Sequence, residues 1–403
     1  AGGKAVADAK AARVEDRWGS IECRLCGVRV KSEAAYRAHC ATAAHRDALQ
    51  SKAEHRARSS KVVVLVDPLA HHSLSLPFRE ATTQKRQPVA GTGQAGCRWH
   101  ALEPVAADAA AGAPAVEGLA SETPTLQPQR ITCVDIAINA DGSGVDLADL
   151  QEKLEAERHN GARVLCLLTA ASNVTGALAD IAGLTEVIHS YGALACWDLA
   201  GLAGHRRPNL APADRPLAHV DAAFASPHKF LGGPSTCGLL LARKELLRNE
   251  VPAVPGGGSV FFVGPTWHSY ISNCEEREEA GSPDLAASAR TGLCLHLHAS
   301  LPYAAVEEVE RRYLHRLLAA LEQEPHVQVL APAATYAGVG TVSFVIRYTA
   351  DGLFLHHGFV SCLLNDLFGV QSRSGCVCAG PYAQHVLGID PQVAAQYDAA
   401  LSD

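Results

Sequence analysis

Residues 162–201 read ARVLCLLTAASNVTGALADIAGLTEVIHSYGALACWDLAG, and they decide the fold class. ARVLCLLTA is a short, continuously apolar run, the pattern of a strand covered on both faces. DIAGLTEVIHSYG reads as a helix stopped by Gly192. ALACWDLAG is a second strand, closing on Asp198. A strand, a helix and a strand in succession imply a crossover unit of a parallel sheet.

The same alternation extends on either side. KVVVLVDP (61–68), ITCVDIAI (131–138), HVDAAFA (219–225) and CGLLLAR (237–243) read as further strands, and VDLADLQEKLEAERHNG (145–161) as a helix with a Gly stop. The reading is an α/β domain with a doubly wound, mostly parallel sheet over residues 61–285, broken by an Ala/Pro/Glu-rich, disordered insertion at 102–129. From residue 286 to 403 the texture becomes helical around a strand in VGTVSFVIRY, which is expected to form a smaller C-terminal α+β domain. Residues 51–60 read as a polar helix end or linker.

The chain has 403 residues, 48% hydrophobic and 19% charged, as an ordinary globular protein has. No apolar run approaches the roughly 20 residues of a membrane helix, so no membrane role is expected. The N-terminus lacks the apolar core of a secretory signal. There is no Met in the sequence, and the chain is expected to start inside a longer precursor. The thirteen cysteines are odd in number and sit mostly alone in apolar stretches, such as Cys166 and Cys196. That pattern suits a reducing intracellular compartment, taken here as the cytoplasm with an organelle left open.

Charge is distributed unevenly. Residues 1–61 carry a net charge of +6 and the rest −13, so nucleic-acid contact is expected only at the N-terminal end. Residues 1–20 read as a mobile arm. In residues 21–50, Cys23, Cys26, His39 and His45 follow the spacing Cys-x2-Cys-x12-His-x5-His. Two thiolates on a turn and two imidazoles on a helix make a tetrahedral Zn(II) set, in a unit too small to fold without metal. His39 and His45 are six apart, so the helix must end or distort between them. The spacing resembles U1-type zinc fingers of ββα-like form, and implies RNA or a protein as the partner.

Four segments of the acidic body carry chemistry. In SPHKFLGGP (226–234), Lys229 stands beside a hydroxyl, an imidazole and a Gly-rich turn. It can form a Schiff base while its neighbours hold a phosphate, although a lone Lys is ordinarily a solvated surface residue. Asp198 ends a strand on the edge where doubly wound sheets bind ligands, where a carboxylate can keep a pyridine nitrogen protonated or simply cap a turn. Asn173 follows another strand, and its amide can reach a phenolic oxygen or a substrate. His71 and His72 follow the first strand of the body, where an imidazole can stack on a flat ring and shuttle a proton.

Together these segments resemble the class V aminotransferase family, and within it the cysteine desulfurases, which are fold type I pyridoxal-phosphate (PLP) enzymes. AHHSLSLPFRE (70–80), SPHKFLGGP, PGGGSVFFV (255–263) with EEREEAGSPDLAASARTGL (275–293), and RSGCVCAGPYAQHVLGID (373–390) carry the resemblance. It implies that Lys229 forms the internal aldimine, Asp198 pairs with the pyridine nitrogen, Ser226 and His228 hold the phosphate, and His71 stacks on the ring. It implies that Ser282 contacts the cofactor phosphate of the partner subunit in a homodimer, that Arg373 binds the substrate carboxylate, and that Cys378, or else Cys376, is the sulfur-accepting nucleophile. The implied substrate is L-cysteine or a related small amino acid, with a sulfur-acceptor protein downstream. The nucleophile's loop is expected to be exposed, mobile and close to positive charge.

Three departures stand out. The Gly/Ser/Thr-rich phosphate loop that normally precedes the first strand is replaced by the finger. Gly201 occupies the place of a cofactor-contacting Gln. The Arg-bearing final segment does not follow GID. An inert scaffold that keeps the fold and uses the finger is the alternative reading, and β-lyase or transaminase chemistry a third.

Overall fold

The computed structural model describes residues 13–15, 21–23, 29–30, 35, 61–81, 131–330, 336–348, 352–375 and 377–402. The expected linker at 51–60, the insertion at 102–129, and Cys26, His39, His45 and Cys376 lie outside the described residues. At the N-terminal end, β1 (Arg13–Glu15), β2 (Ile21–Cys23) and β3 (Arg29–Val30) form a small antiparallel sheet. Arg13–Glu15, read as part of a mobile arm, therefore pairs with Ile21–Cys23.

The body is built on six strands. In chain order they are interleaved as β4 (Val62–Val66), α1 (His72–Glu80), β5 (Ile131–Asp135), α2 (Leu147–His159), β6 (Arg163–Thr169), α3 (Ile181–Ser190), β7 (Leu194–Asp198), β8 (Ala222–Ala225) and β9 (Leu239–Ala242). The spatial order is β5-β4-β6-β7-β8-β9. The first five strands are parallel, with Val64 opposite both Cys133 and Leu165, and only β9 runs antiparallel, against β8. From β4 the chain goes first to β5 on one side and then to β6 on the other. The connections diverge there, between β4 and β6, where an open α/β sheet leaves a crevice at its carboxyl edge.

The apolar runs are continuous because both faces are covered. On one face Val63, Leu65, Cys166, Leu168, Ala195 and Trp197 pack with Leu150 and Leu154 of α2 and Ile188 of α3. On the other, Val64, Val66, Leu167 and Cys196 pack with Leu74 of α1. Successive strand residues thus serve opposite layers. Each of the larger of these side chains contributes about 1.5–3 kcal/mol on burial. Trp197 is completely buried and its indole N–H donates to Thr185 Oγ1 at 2.9 Å, so burying the ring leaves no donor unpaired.

The helices begin where their caps predict. Asp146 accepts from the backbone of Ala148 and Asp149 ahead of α2, and Asp180 accepts from Gly183 ahead of α3. After β9 come β10 (Val260–Val263) and β11 (His268–Tyr270), an antiparallel hairpin, then α4 (Cys274–Glu278). The C-terminal elements are α5 (Leu285–Ser300), α6 (Tyr303–Leu321), the antiparallel pair β12 (Val327–Val329) and β13 (Phe344–Ile346), α7 (His357–Phe368), α8 (Gly380–Val386) and α9 (Pro391–Ser402). Among the described residues no helix is long and apolar enough to cross a membrane, and the eight cysteines whose side chains are described are all free thiols.

Candidate active site

The carboxyl edge of the parallel strands collects the residues that the sequence singles out. His71 follows β4, Asn173 follows β6, Asp198 ends β7, and Ser226 to Lys229 follow β8. Four adjacent strands therefore deliver them to one edge, although they span more than 150 positions of the sequence.

His71 caps α1, its Nδ1 accepting from Ser73 N at 3.1 Å. Partial burial pushes its pKa below the ordinary histidine value; Asp198 opposes this, while Lys229, His72 and Arg373 add to it. Asp198, Lys229 and Arg373 thus all lie within electrostatic reach of one imidazole. Asp198 Oδ1 accepts from Ala200 N at 2.8 Å, which fixes the carboxylate at the strand end. Lys229 lies on a single 3-10 turn, Pro227–Lys229, and it and His228 are exposed while Ser226 is half-buried. That turn is tied down by close backbone approach: a Cβ on Gly233 would stand 1.9 Å from Pro227 O. Phe230 anchors it in the core, stacked on His298 with ring centroids 4.3 Å apart.

The loop that carries Cys378 comes from the far end of the chain and is docked onto this edge. Cys378 is half-buried, with φ 59 in the left-handed region, and Arg373 Nη2 donates to its Sγ at 3.1 Å. The expected positive charge is present. The residues before Cys378, Gln371 to Gly375, are exposed, while several contacts hold the loop at Cys378 and on either side of it. His72 N donates to Cys378 O at 2.7 Å, Gly380 N donates to His72 Nε2 at 3.0 Å, and Asn173 Nδ2 donates to Val377 O. Beneath it Ala379 and the fully buried Tyr382 pack on Leu69 and Val174. The Tyr382 hydroxyl donates to Gly142 O at 2.9 Å and meets Thr175 Oγ1 at 3.2 Å. Asn173 thus ties the strand edge to the loop through its amide nitrogen. Ser282 lies exposed on the turn between α4 and α5.

One residue escaped the sequence reading. Asp67 is buried, its carboxylate accepting from Leu69 N at 2.7 Å and Thr169 N at 2.9 Å. It bridges β4 and β6 at the switch point. Burial pushes its pKa up to about 6, against the two backbone donors, with Asp198 adding to the rise. The Asp-Pro step closing KVVVLVDP is the signal that could have drawn attention to it.

A primary amine, a fixed carboxylate and an imidazole on one sheet edge fit an aldehyde cofactor with a basic ring nitrogen, which is the chemistry of PLP. Gly201 offers no side chain to it, and a Cβ there would stand 2.7 Å from Ala171 O.

A family model described as Aminotransferase class-V matches residues 126–389. A cysteine desulfurase of Serratia proteamaculans (strain 568) is 29% identical over 244 residues, 60% of this chain and 55% of the relative. One of Escherichia coli (strain SE11) is 28% identical over 222 residues, 54% of this chain and 50% of the relative. The chain thus spans about half the length of the curated relatives it matches. Among solved structures, an apo cysteine desulfurase from Thermococcus onnurineus NA1 has a TM-score of 0.59 at 20% identity, covering 83% of this chain and 68% of that one. A cysteine desulfurase from Escherichia coli has a TM-score of 0.57 at 22% identity, covering 83% and 67%. Both show a shared fold. With the family match extending over well over half of its residues, the chain belongs to the class V aminotransferase family, whose cofactor is PLP.

Proposed function

We propose that the chain is a cysteine desulfurase-like PLP enzyme that takes sulfur from L-cysteine or a related small amino acid onto Cys378. The observation that supports this most is the 3.1 Å contact between Arg373 and the Cys378 thiol, on a loop docked where Lys229, Asp198 and His71 converge. Lys229 would hold PLP covalently, Asp198 would face its ring nitrogen, His71 would lie against the ring, and Ser226 and His228 would take its phosphate. Bound there, PLP would supply an electron sink for the substrate α-carbon.

The rest falls to the protein's own groups. Arg373 would orient the substrate carboxylate beside the Cys378 thiol that it contacts. The imidazole of His71, kept uncharged by its surroundings, can accept and return a proton at the substrate. Cys376, two residues away, is the second candidate for the thiol. The net change would convert L-cysteine and the protein thiol into alanine and a protein persulfide, which a sulfur-acceptor protein would discharge.

The β10–β11 hairpin exposes Phe261, Phe262, Val263 and Trp267. This apolar face supports a homodimer, in which Ser282 would reach the partner's phosphate. The proposed organisation is a PLP domain over 61–285 and a small domain over 286–403, behind a zinc finger over 21–50. The zinc finger would bind Zn(II) through Cys23, Cys26, His39 and His45 and contact RNA or protein. The β2–β3 hairpin, with Cys23 at the end of β2, suits such a unit.

The deciding experiment is an absorption spectrum of the purified chain after addition of PLP. A visible band that Lys229→Ala abolishes, with alanine released from L-cysteine by the parent, is the expected result. A band that survives Lys229→Ala would refute the lysine assignment. A parent with neither band nor alanine would be the inert scaffold.

A further inference from the structure

We infer that His72 is a positioning residue that, in its uncharged form, pins the Cys378 loop to the sheet edge and releases it on protonation. This deepens the proposed desulfurase reading, and rests on it only for what the loop carries.

The clamp has two prongs on one residue. The backbone N–H of His72 donates to Cys378 O at 2.7 Å, and its Nε2 accepts from Gly380 N at 3.0 Å. The two ends of the Cys378–Gly380 turn are therefore held by a residue 308 positions away from Gly380. Nε2 can accept only through its lone pair, so the proton of the neutral ring lies on Nδ1. An imidazolium carries N–H groups at both nitrogens. Protonation would set two donors against each other at Gly380 and break the ring's half of the clamp.

The fit is close, since a Cβ on Gly380 would stand 3.3 Å from His72 Nε2. His71 stands on the same turn with its ring centroid 6.5 Å away, and the loop that His72 holds carries Cys378 with Arg373 against its thiol. Asp198 and Lys229 act on the same turn through His71, and the Arg79–Asp135 ion pair ties α1 to β5 at its far end. Held, the loop keeps the thiol beside Arg373 at the site. Released, it can present a sulfur-bearing Cys378 outward to an acceptor.

The test is hydrogen exchange read by mass spectrometry on the full-length, cofactor-free chain, following the peptide that spans Gly380, at about pH 8 and about pH 5.5, the range in which a histidine changes charge. Rates are corrected for the intrinsic pH dependence of amide exchange. The parent should lose protection of this segment at the lower pH. His72→Gln, whose side-chain oxygen accepts but does not titrate, should stay protected at both. At the higher pH His72→Ala should exchange at least about fivefold faster than the parent, the low end for an N–H deprived of its acceptor, and at the lower pH the two should match. The inference is overturned if His72→Ala is as protected as the parent at the higher pH, or if His72→Gln loses protection at low pH as the parent does. Should His72→Ala not fold, the comparison of parent with His72→Gln still decides. Alanine release from L-cysteine is measured separately on holoenzyme. A chain that shows the clamp but releases no alanine keeps the inference and loses the desulfurase reading.

Discussion

Replacing Asp67 by Asn tests the electrostatics of the switch point. The carboxyl is buried and carries a pKa of about 6 against an ordinary 3.8, burial being the main cause. A carboxyl whose folded pKa is raised binds its proton more tightly in the folded state. Its contribution is fully present below about pH 4 and is lost as the pH rises to about 6. A gap of about two pH units, at ~1.4 kcal/mol each, amounts to ~3 kcal/mol lost across that window and constant above it. Asparagine does not titrate, so it removes the slope. It also offers one acceptor to two backbone donors, Leu69 N and Thr169 N, and leaving one unpaired costs about 1–3 kcal/mol at every pH. Asp67→Asn should therefore be clearly destabilising near pH 4 and close to neutral near pH 8, where removal of the buried charge offsets the lost acceptor. The assay is urea unfolding followed by the fluorescence of Trp197, buried in the same sheet. A difference between parent and variant that is the same at both pH values would refute the reasoning.

Three further outcomes are expected. Cys378→Ser should abolish alanine release from L-cysteine while Cys376→Ser retains it; the reverse pattern in an alanine assay would move the nucleophile to Cys376. Elemental analysis of the full chain should give about one zinc per chain by ligand count, lost in Cys23→Ser/Cys26→Ser, and an equal zinc content in that variant would remove the finger. Leu154→Ala, at a fully buried position of α2, should cost about 2–5 kcal/mol in unfolding stability, and a loss below about 1 kcal/mol would show that α2 does not pack as described.

The parallel sheet was legible because a strand buried on both faces has nowhere to put a polar residue. VVVLV, RVLCLLT and LACWD therefore announced themselves. Asp198 was legible for a related reason, as a charged group closing such a run, whereas Lys229 stands four residues beyond β8 and was marked by the hydroxyl, imidazole and Gly-rich turn around it. α1 was not read as a helix, since Pro77 lies inside it and its role as a cap for the site comes from His71 at its start. The β10–β11 hairpin was not read from the sequence, for its exposed aromatic residues make no alternating pattern. The docking of the Cys378 loop was out of reach altogether. It depends on His72 and Asn173 meeting residues more than 200 positions away, and no local spacing encodes such a meeting.

The bare backbone at Gly201 sets a steric limit on the strand edge. A methyl group there would stand 2.7 Å from Ala171 O, a distance at which the carbonyl must yield. Any larger side chain would meet the same wall, and the stretch leading to Asn173 would have to retreat before it fitted. Close packing of two backbones thus reserves this position for the one residue that has no side chain.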